Sequence, residues 1–104
     1  MDRLTRLEAI VTERLGADPA SSYVAGLKAR GLPEIARKLG EEATEAVVAA
    51  LAGSDEELVG EAADVLFHLT VLLAARGVRL DQVMAELGRR EGASGLAEKA
   101  SRSA

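Results

Sequence analysis

The stretch "EAADVLFHL" (Glu61–Leu69) sets two carboxylates and the chain's single histidine among Ala, Val, Leu and Phe. Laid out at about 100° per residue, the segment around it is apolar on almost every side. Leu58, Val59, Leu66, Leu69, Leu72 and Leu73 cover one broad side, and Ala63, Phe67 and Val71 cover much of the other. A helix apolar nearly all round is a buried helix. Its polar stripe is narrow and holds Glu57, Glu61, Asp64 and His68. The pattern predicts a helix from about Asp55 to Arg76. Ser54 and Glu57 form a capping box at its start, and Gly77 stops it.

Immediately upstream, "KLGEEATEAV" (Lys38–Val47) crowds Glu41, Glu42 and Glu45 into another helical pattern. That helix is predicted from Pro33, which suits a first turn, to about Leu51, with Gly53 ending it. Ile35, Leu39, Ala43, Ala46, Val47 and Ala50 form its apolar arc. Glu42 sits at the edge of the arc, and Glu45 lies about 60° further round. Lys38 falls between them, and Glu41 points outward. The connection at Gly53–Ser54 is too short for anything but an antiparallel pair.

Further out, Leu4, Leu7, Val11 and Leu15 have helical spacing that ends at Gly16 and Pro19. A short second helix carries Tyr23, Val24 and Leu27, capped by Ser21 or Ser22 and stopped by Gly31. Leu80, Val83, Met84 and Leu87 give a fifth, amphipathic helix. No strand pattern, repeat or linker is visible. The expectation is an all-α bundle of four or five helices, one domain over residues 1–92. Residues 93–104 form a small, polar, basic tail that is mobile without substrate and orders over bound phosphates. The helix around Glu61 has more apolar surface than its small neighbours can cover, so a homodimer or higher homo-oligomer is expected.

The chain has 104 residues, a size for one domain with a modest core. It has no cysteine, which excludes a disulfide framework, a thiolate zinc site and a thiol nucleophile. The net charge of −4 and the lack of a basic face outside the tail argue against nucleic acid. No apolar run is read as approaching the roughly 20 residues of a membrane span, and "MDRLTRLEAI" lacks a signal-peptide core. The expected location is the cytoplasm, with no membrane partner.

Buried carboxylates must be paired or bind a metal. The cations and the imidazole within reach are few: Lys38, His68, Arg89 and Arg90. Glu42 and Glu45 on one helix, facing Glu61 and Asp64 on the next, would make an oxygen-rich cage. All-oxygen ligation suits Mg²⁺ or Mn²⁺ rather than structural zinc. A plainer reading stands beside this one. Acids at a three-residue step are common on exposed helices, Glu41 reads as solvated surface, and His68 taken alone reads as a satisfied core histidine. Sharing a stripe with two acids makes His68 equally a supporting partner of the site or a substrate contact. No Ser-His-Asp, Cys-His or Gly-Lys-Ser/Thr phosphate-loop arrangement competes. Phosphates would therefore be held by metal and by cations, with Arg89, Arg90, Lys99 and Arg102 as candidates. An adenine could stack only on Tyr23 or Phe67, and Phe67 reads as core.

The segments "SYVAGL" (Ser22–Leu27), "ARKLGEEATEAVVAAL" (Ala36–Leu51), "EAADVLFHLTVLLAARGV" (Glu61–Val78) and "SGLAEKASR" (Ser94–Arg102) resemble the phosphoribosyl-ATP pyrophosphatase family. That family is a branch of the MazG-like all-α nucleotide pyrophosphatases. The superfamily pattern E-E-x-x-E followed by E-x-x-D falls on Glu41, Glu42, Glu45, Glu61 and Asp64. The resemblance implies Mg²⁺-dependent hydrolysis of phosphoribosyl-ATP in histidine biosynthesis by the stand-alone form of the enzyme. It implies Glu42, Glu45, Glu61 and Asp64 as metal ligands and Glu41 as an accessory acid. It implies Lys38 as a phosphate contact. It does not say which of Glu41, Glu42 and Glu45 is the general base. Two other readings remain open at this point. One is a house-cleaning MazG-like pyrophosphatase acting on a non-standard nucleotide, and the other is a non-catalytic helical dimerisation module.

Overall fold

The computed structural model describes residues 2–92, and all its regular elements there are helices: α1 (Arg3–Leu15), α2 (Tyr23–Arg30), α3 (Leu32–Ala52), α4 (Asp55–Ala75) and α5 (Leu80–Arg90). Each boundary has a local cause. Asp2 and Ser22 accept from the third residues of α1 and α2, Thr5 and Ala25. Ser54 and Glu57 complete a reciprocal capping box at α4. Gly31 ends α2 and opens α3 at φ 97°, a conformation that favours glycine. Gly53 turns so tightly that a Cβ there would lie 3.0 Å from the Ala49 carbonyl oxygen.

The turn lays α3 antiparallel along α4, and this is the main contact of the fold. α1 crosses α4, while α2 rests on α3 and α1. Val11, Val24, Leu27, Ile35 and Val71 form the buried core, with Leu7, Leu15, Phe67 and Leu72 packed around it. α5 joins mainly by its first turn. Leu80 is buried, and its N–H donates to the Glu8 carboxylate on α1 at 2.6 Å.

Two expectations are corrected here. Of the apolar arc expected on α3, Ile35 is buried and Leu39 and Ala46 are half-buried, but Ala43, Val47 and Ala50 are exposed. The buried seam is Ile35–Glu42–Ala49, residues seven apart that stay on one face. Val47 is 58% exposed. Nor is α4 a buried helix within one chain: only His68, Thr70 and Val71 are buried, while Val59 is 69% and Leu66 48% exposed.

The expectation that no run reaches a membrane span also fails for α4. By length and composition, with a mean hydropathy of 1.7, it is apolar enough to cross a membrane. Its mid-length carboxylates, Glu61 and Asp64, oppose such a placement, since a charge at a bilayer centre costs about 3 kcal/mol or more.

Candidate metal centre

The fold turns the acids of the two long helices toward one another. Glu42, in the α3 seam, is buried. Ligand oxygens of Glu42, Glu61 and Asp64 lie within 4.8 Å of one another, across the α3–α4 interface. Glu42 also shares a second group with Glu41 and Glu45 on its own helix, again within 4.8 Å. Glu42 is thus common to both clusters. Glu61 is half-buried, while Glu45 and Asp64 lie on the exposed rim. Asp64, expected among the buried carboxylates, is exposed and joins the group through its nearness to Glu42 and Glu61.

Electrostatics mark Glu42 and Glu41 as different kinds of acid. Burial pushes the Glu42 carboxyl above the ordinary glutamate range. A hydrogen bond with Glu45 and the charges of Glu45 and Asp64 push it the same way, against the opposing influence of His68. Glu41 is held below the ordinary range, first by its hydrogen bond with Lys38 and then by the Lys38 and Arg37 charges. Arg37 donates to Glu41 at 2.5 Å. The Lys38 ammonium lies 3.3 Å from Glu41 and 3.6 Å from Glu42. Among the described residues, Lys38 is thus the cation that reaches both Glu41 and Glu42.

Whether this donor set fits a metal is decided by Glu61. Its Oε2 is buried and has no hydrogen-bond partner among the described residues. A buried carboxylate oxygen without a donor is costly, and here it lies beside the further carboxylate oxygens of Glu42 and Asp64. A hard divalent cation fits such a set, since Mg²⁺ and Mn²⁺ take oxygen ligands.

His68 has another position than a substrate contact. It is buried, its Nδ1 lies 2.7 Å from the Asp64 carbonyl oxygen, and its Nε2 lies 2.9 Å from the Tyr23 hydroxyl. Both ring nitrogens are engaged inside the protein. Arg89 and Arg90 both hydrogen-bond Glu86 on α5. Lys99 and Arg102, with the whole tail, lie outside the described residues. The structure thus gathers Glu41, Glu42, Glu45, Glu61, Asp64 and Lys38, and backs them with His68. Sequence reasoning missed the tie between Tyr23 and His68, which spans 45 positions and leaves no local signal.

A family model described as phosphoribosyl-ATP pyrophosphohydrolase matches residues 4–91. The chain is 70% identical over 102 residues to a phosphoribosyl-ATP pyrophosphatase of Erythrobacter litoralis, covering 98% of both proteins. It is 64% identical to one of Novosphingobium aromaticivorans, over 96% of this chain and 94% of the relative. It is 59% identical to one of Rhodobacter capsulatus, over 98% and 99%. The matched span takes in α1 to α5 and every acid of the α3–α4 clusters, and on that match the chain belongs to the phosphoribosyl-ATP pyrophosphohydrolase family.

Proposed function

We infer that this chain is a hydrolase that converts phosphoribosyl-ATP to phosphoribosyl-AMP and pyrophosphate in histidine biosynthesis, and we propose that it does so at the α3–α4 acid centre with Mg²⁺ or Mn²⁺. The reaction follows from the family and from relatives named for it along almost their whole length. The metal-dependent mechanism rests on one observation: the buried, partnerless Glu61 Oε2 beside Glu42 and Asp64.

In this reading Glu42, Glu61 and Asp64 would hold the ion. A divalent ion supplies Lewis-acid charge against phosphate oxygens and acidifies water. Glu45 accepts the proton of the attacking water, because it is solvent-open and its near neighbour is Glu42 rather than a cation. Lys38 carries the one ammonium at the centre. Its pKa is raised, chiefly by the hydrogen bond with Glu41, so it stays cationic and can exchange a carboxylate for a phosphate oxygen. Glu41, engaged by Arg37 and Lys38, keeps that ammonium in place.

Pyrophosphate release from phosphoribosyl-ATP, measured with and without Mg²⁺ and beside a panel of non-standard nucleotides, tests this. The expected result is Mg²⁺-dependent turnover with phosphoribosyl-ATP preferred. Preference for a non-standard nucleotide would move the assignment to a house-cleaning enzyme. Absence of divalent-ion binding in calorimetry would remove the metal centre.

The assembly we propose is a homodimer. Val47, Val48 and Leu51 at the end of α3 are exposed, as are Val59 and Leu66 on α4, with Leu51 reaching 84%. Exposed apolar side chains on two neighbouring helices point to an interaction site, and a second copy would cover them. Sedimentation equilibrium at micromolar concentration should give a dimer; a monomer would sink the proposal. The cytoplasm is the compartment this reading implies, because a phosphorylated nucleotide does not cross a bilayer unaided.

A further inference from the structure

The chain's two aromatic residues meet where α2 touches α4. Tyr23 opens α2 and is 54% exposed. Its ring is nonetheless fixed from two sides. Phe67 lies behind it, centroids 6.2 Å apart and planes at 30°. His68 meets it edge-on at 5.8 Å and 87°.

The hydroxyl supplies the third fixing point. His68 Nδ1 lies 2.7 Å from the Asp64 carbonyl oxygen, which can only accept. Nδ1 therefore carries the proton, and in the neutral ring Nε2 is an acceptor. The Tyr23 hydroxyl, 2.9 Å away, donates to it. An exposed tyrosine thus has its orientation set while much of its surface stays open.

What lies on either side of Tyr23 gives this arrangement a use. On one side its hydroxyl is tied to His68, one helical turn after Asp64. On the other side Tyr23 lines a cleft of about 400 Å³ with Ser21, Ser22, Gly26 and Arg30. Through His68 the ring is tied to the helix that carries Glu61 and Asp64, and it also borders an open cleft.

We infer that Tyr23 is a specificity-determining residue: the purine of the substrate stacks on its open ring face while the triphosphate lies at the acid centre. This rests on the proposed nucleotide reaction. Base–aromatic stacking favours a ring already held in position, because little freedom is lost on binding.

The test separates ring, hydroxyl and phosphate. Tyr23→Leu should raise KM for phosphoribosyl-ATP about thirtyfold, the middle of the range for losing one base stack, with kcat within about twofold. Tyr23→Phe and Tyr23→Trp, which keep an aromatic face but lose the hydroxyl tie to His68, should raise KM clearly less than Tyr23→Leu does. The inhibition constant of inorganic triphosphate, which has no base, should be the same in all four proteins. The wild-type chain has no tryptophan, so Tyr23→Trp also provides a single reporter. ATP should quench its fluorescence saturably, and inorganic triphosphate should not. An unchanged KM in Tyr23→Leu, an equal shift in the triphosphate constant, or no quenching by ATP overturns the inference. Failure of the wild-type protein to hydrolyse phosphoribosyl-ATP would instead overturn the proposed reaction, and the quenching by ATP would still report on the stack.

Discussion

Two regions of this molecule use glutamate in opposite ways. On α5, Glu86 accepts hydrogen bonds from Arg89 and Arg90, three and four residues on. Those two arginines hold its carboxyl down to about 2. The group is local, and cations of its own helix fully compensate the carboxylate. Across α3 and α4, Glu42 and Glu61 come together from different helices with Asp64, and Lys38 is the one cation over them. There the Glu42 carboxyl moves the other way, upward, through burial first and its acidic neighbours next. Charges of like sign gathered by tertiary structure, against their own electrostatics, are a reason to expect a ligand. Charges paired along one helix are solvated surface.

The largest expected effect comes from Asp64→Asn, which keeps shape but removes a charge from the uncompensated cluster. Residues behind a metal's direct ligands already cost about 10- to 100-fold when changed, so a direct ligand should cost more. Without metal, the same change should leave the melting temperature equal or higher, because it relieves repulsion. Pyrophosphate release with Mg²⁺ and melting in EDTA, measured as a pair, decide this. Retained turnover with a lowered melting temperature would falsify the metal-ligand role.

The pH dependence sharpens the contrast next. Glu42 has its folded pKa raised above the ordinary 4.5. Above that ordinary value the folded chain binds more protons than the unfolded chain. The contribution of Glu42 to metal-free stability should therefore fall as pH rises from 4.5 through the raised value. Mg²⁺ affinity should rise over the same interval as Glu42 loses its proton. Glu42→Gln should flatten the EDTA stability profile. An unchanged profile in that variant would place the titration elsewhere.

Lys38→Met removes the cation shared by the clusters. Mg²⁺ should bind several times more tightly, since a repelling charge is gone, while KM for the nucleotide rises. Weaker Mg²⁺ binding would show that Lys38 orders the carboxylates rather than meeting phosphate.

Glu86→Gln, on the balanced side, should do least: activity within about twofold and a melting shift of no more than a few degrees, as for exposed ion pairs. Its depressed pKa contributes stability that is present above the ordinary 4.5 and lost as pH falls toward about 2. A large loss of activity here would break the comparison outright.

The helices were legible because their ends are written locally. Gly16, Gly31, Gly53 and Gly77, the Ser54–Glu57 box and the Ser22 cap need no knowledge of the rest of the chain. The five acids were legible as a pattern, and their convergence followed from the short Gly53 turn. The seam of α3 was not legible. A wheel ranks positions by hydrophobicity, so it assigned Ala43 and Val47 to the core and Glu42 to an edge. The fold does the reverse, because contact with α4 is set by where the turn aims the helix. The exposed side of α4 was hidden for a related reason. Apolar residues predict burial but do not say by which chain. The Tyr23–His68 bond needed the three-dimensional meeting of α2 and α4.

The Glu8 carboxylate that accepts the Leu80 N–H has a consequence for how the molecule breathes. α1 to α4 share one buried core, but α5 joins them mainly through its first turn. Amide protons in the last turns of α5 should therefore exchange through local openings rather than global unfolding. Those in the middle of α3 and α4 should wait for the core to come apart. A single oxygen on the first helix thus sets how independently the last one opens.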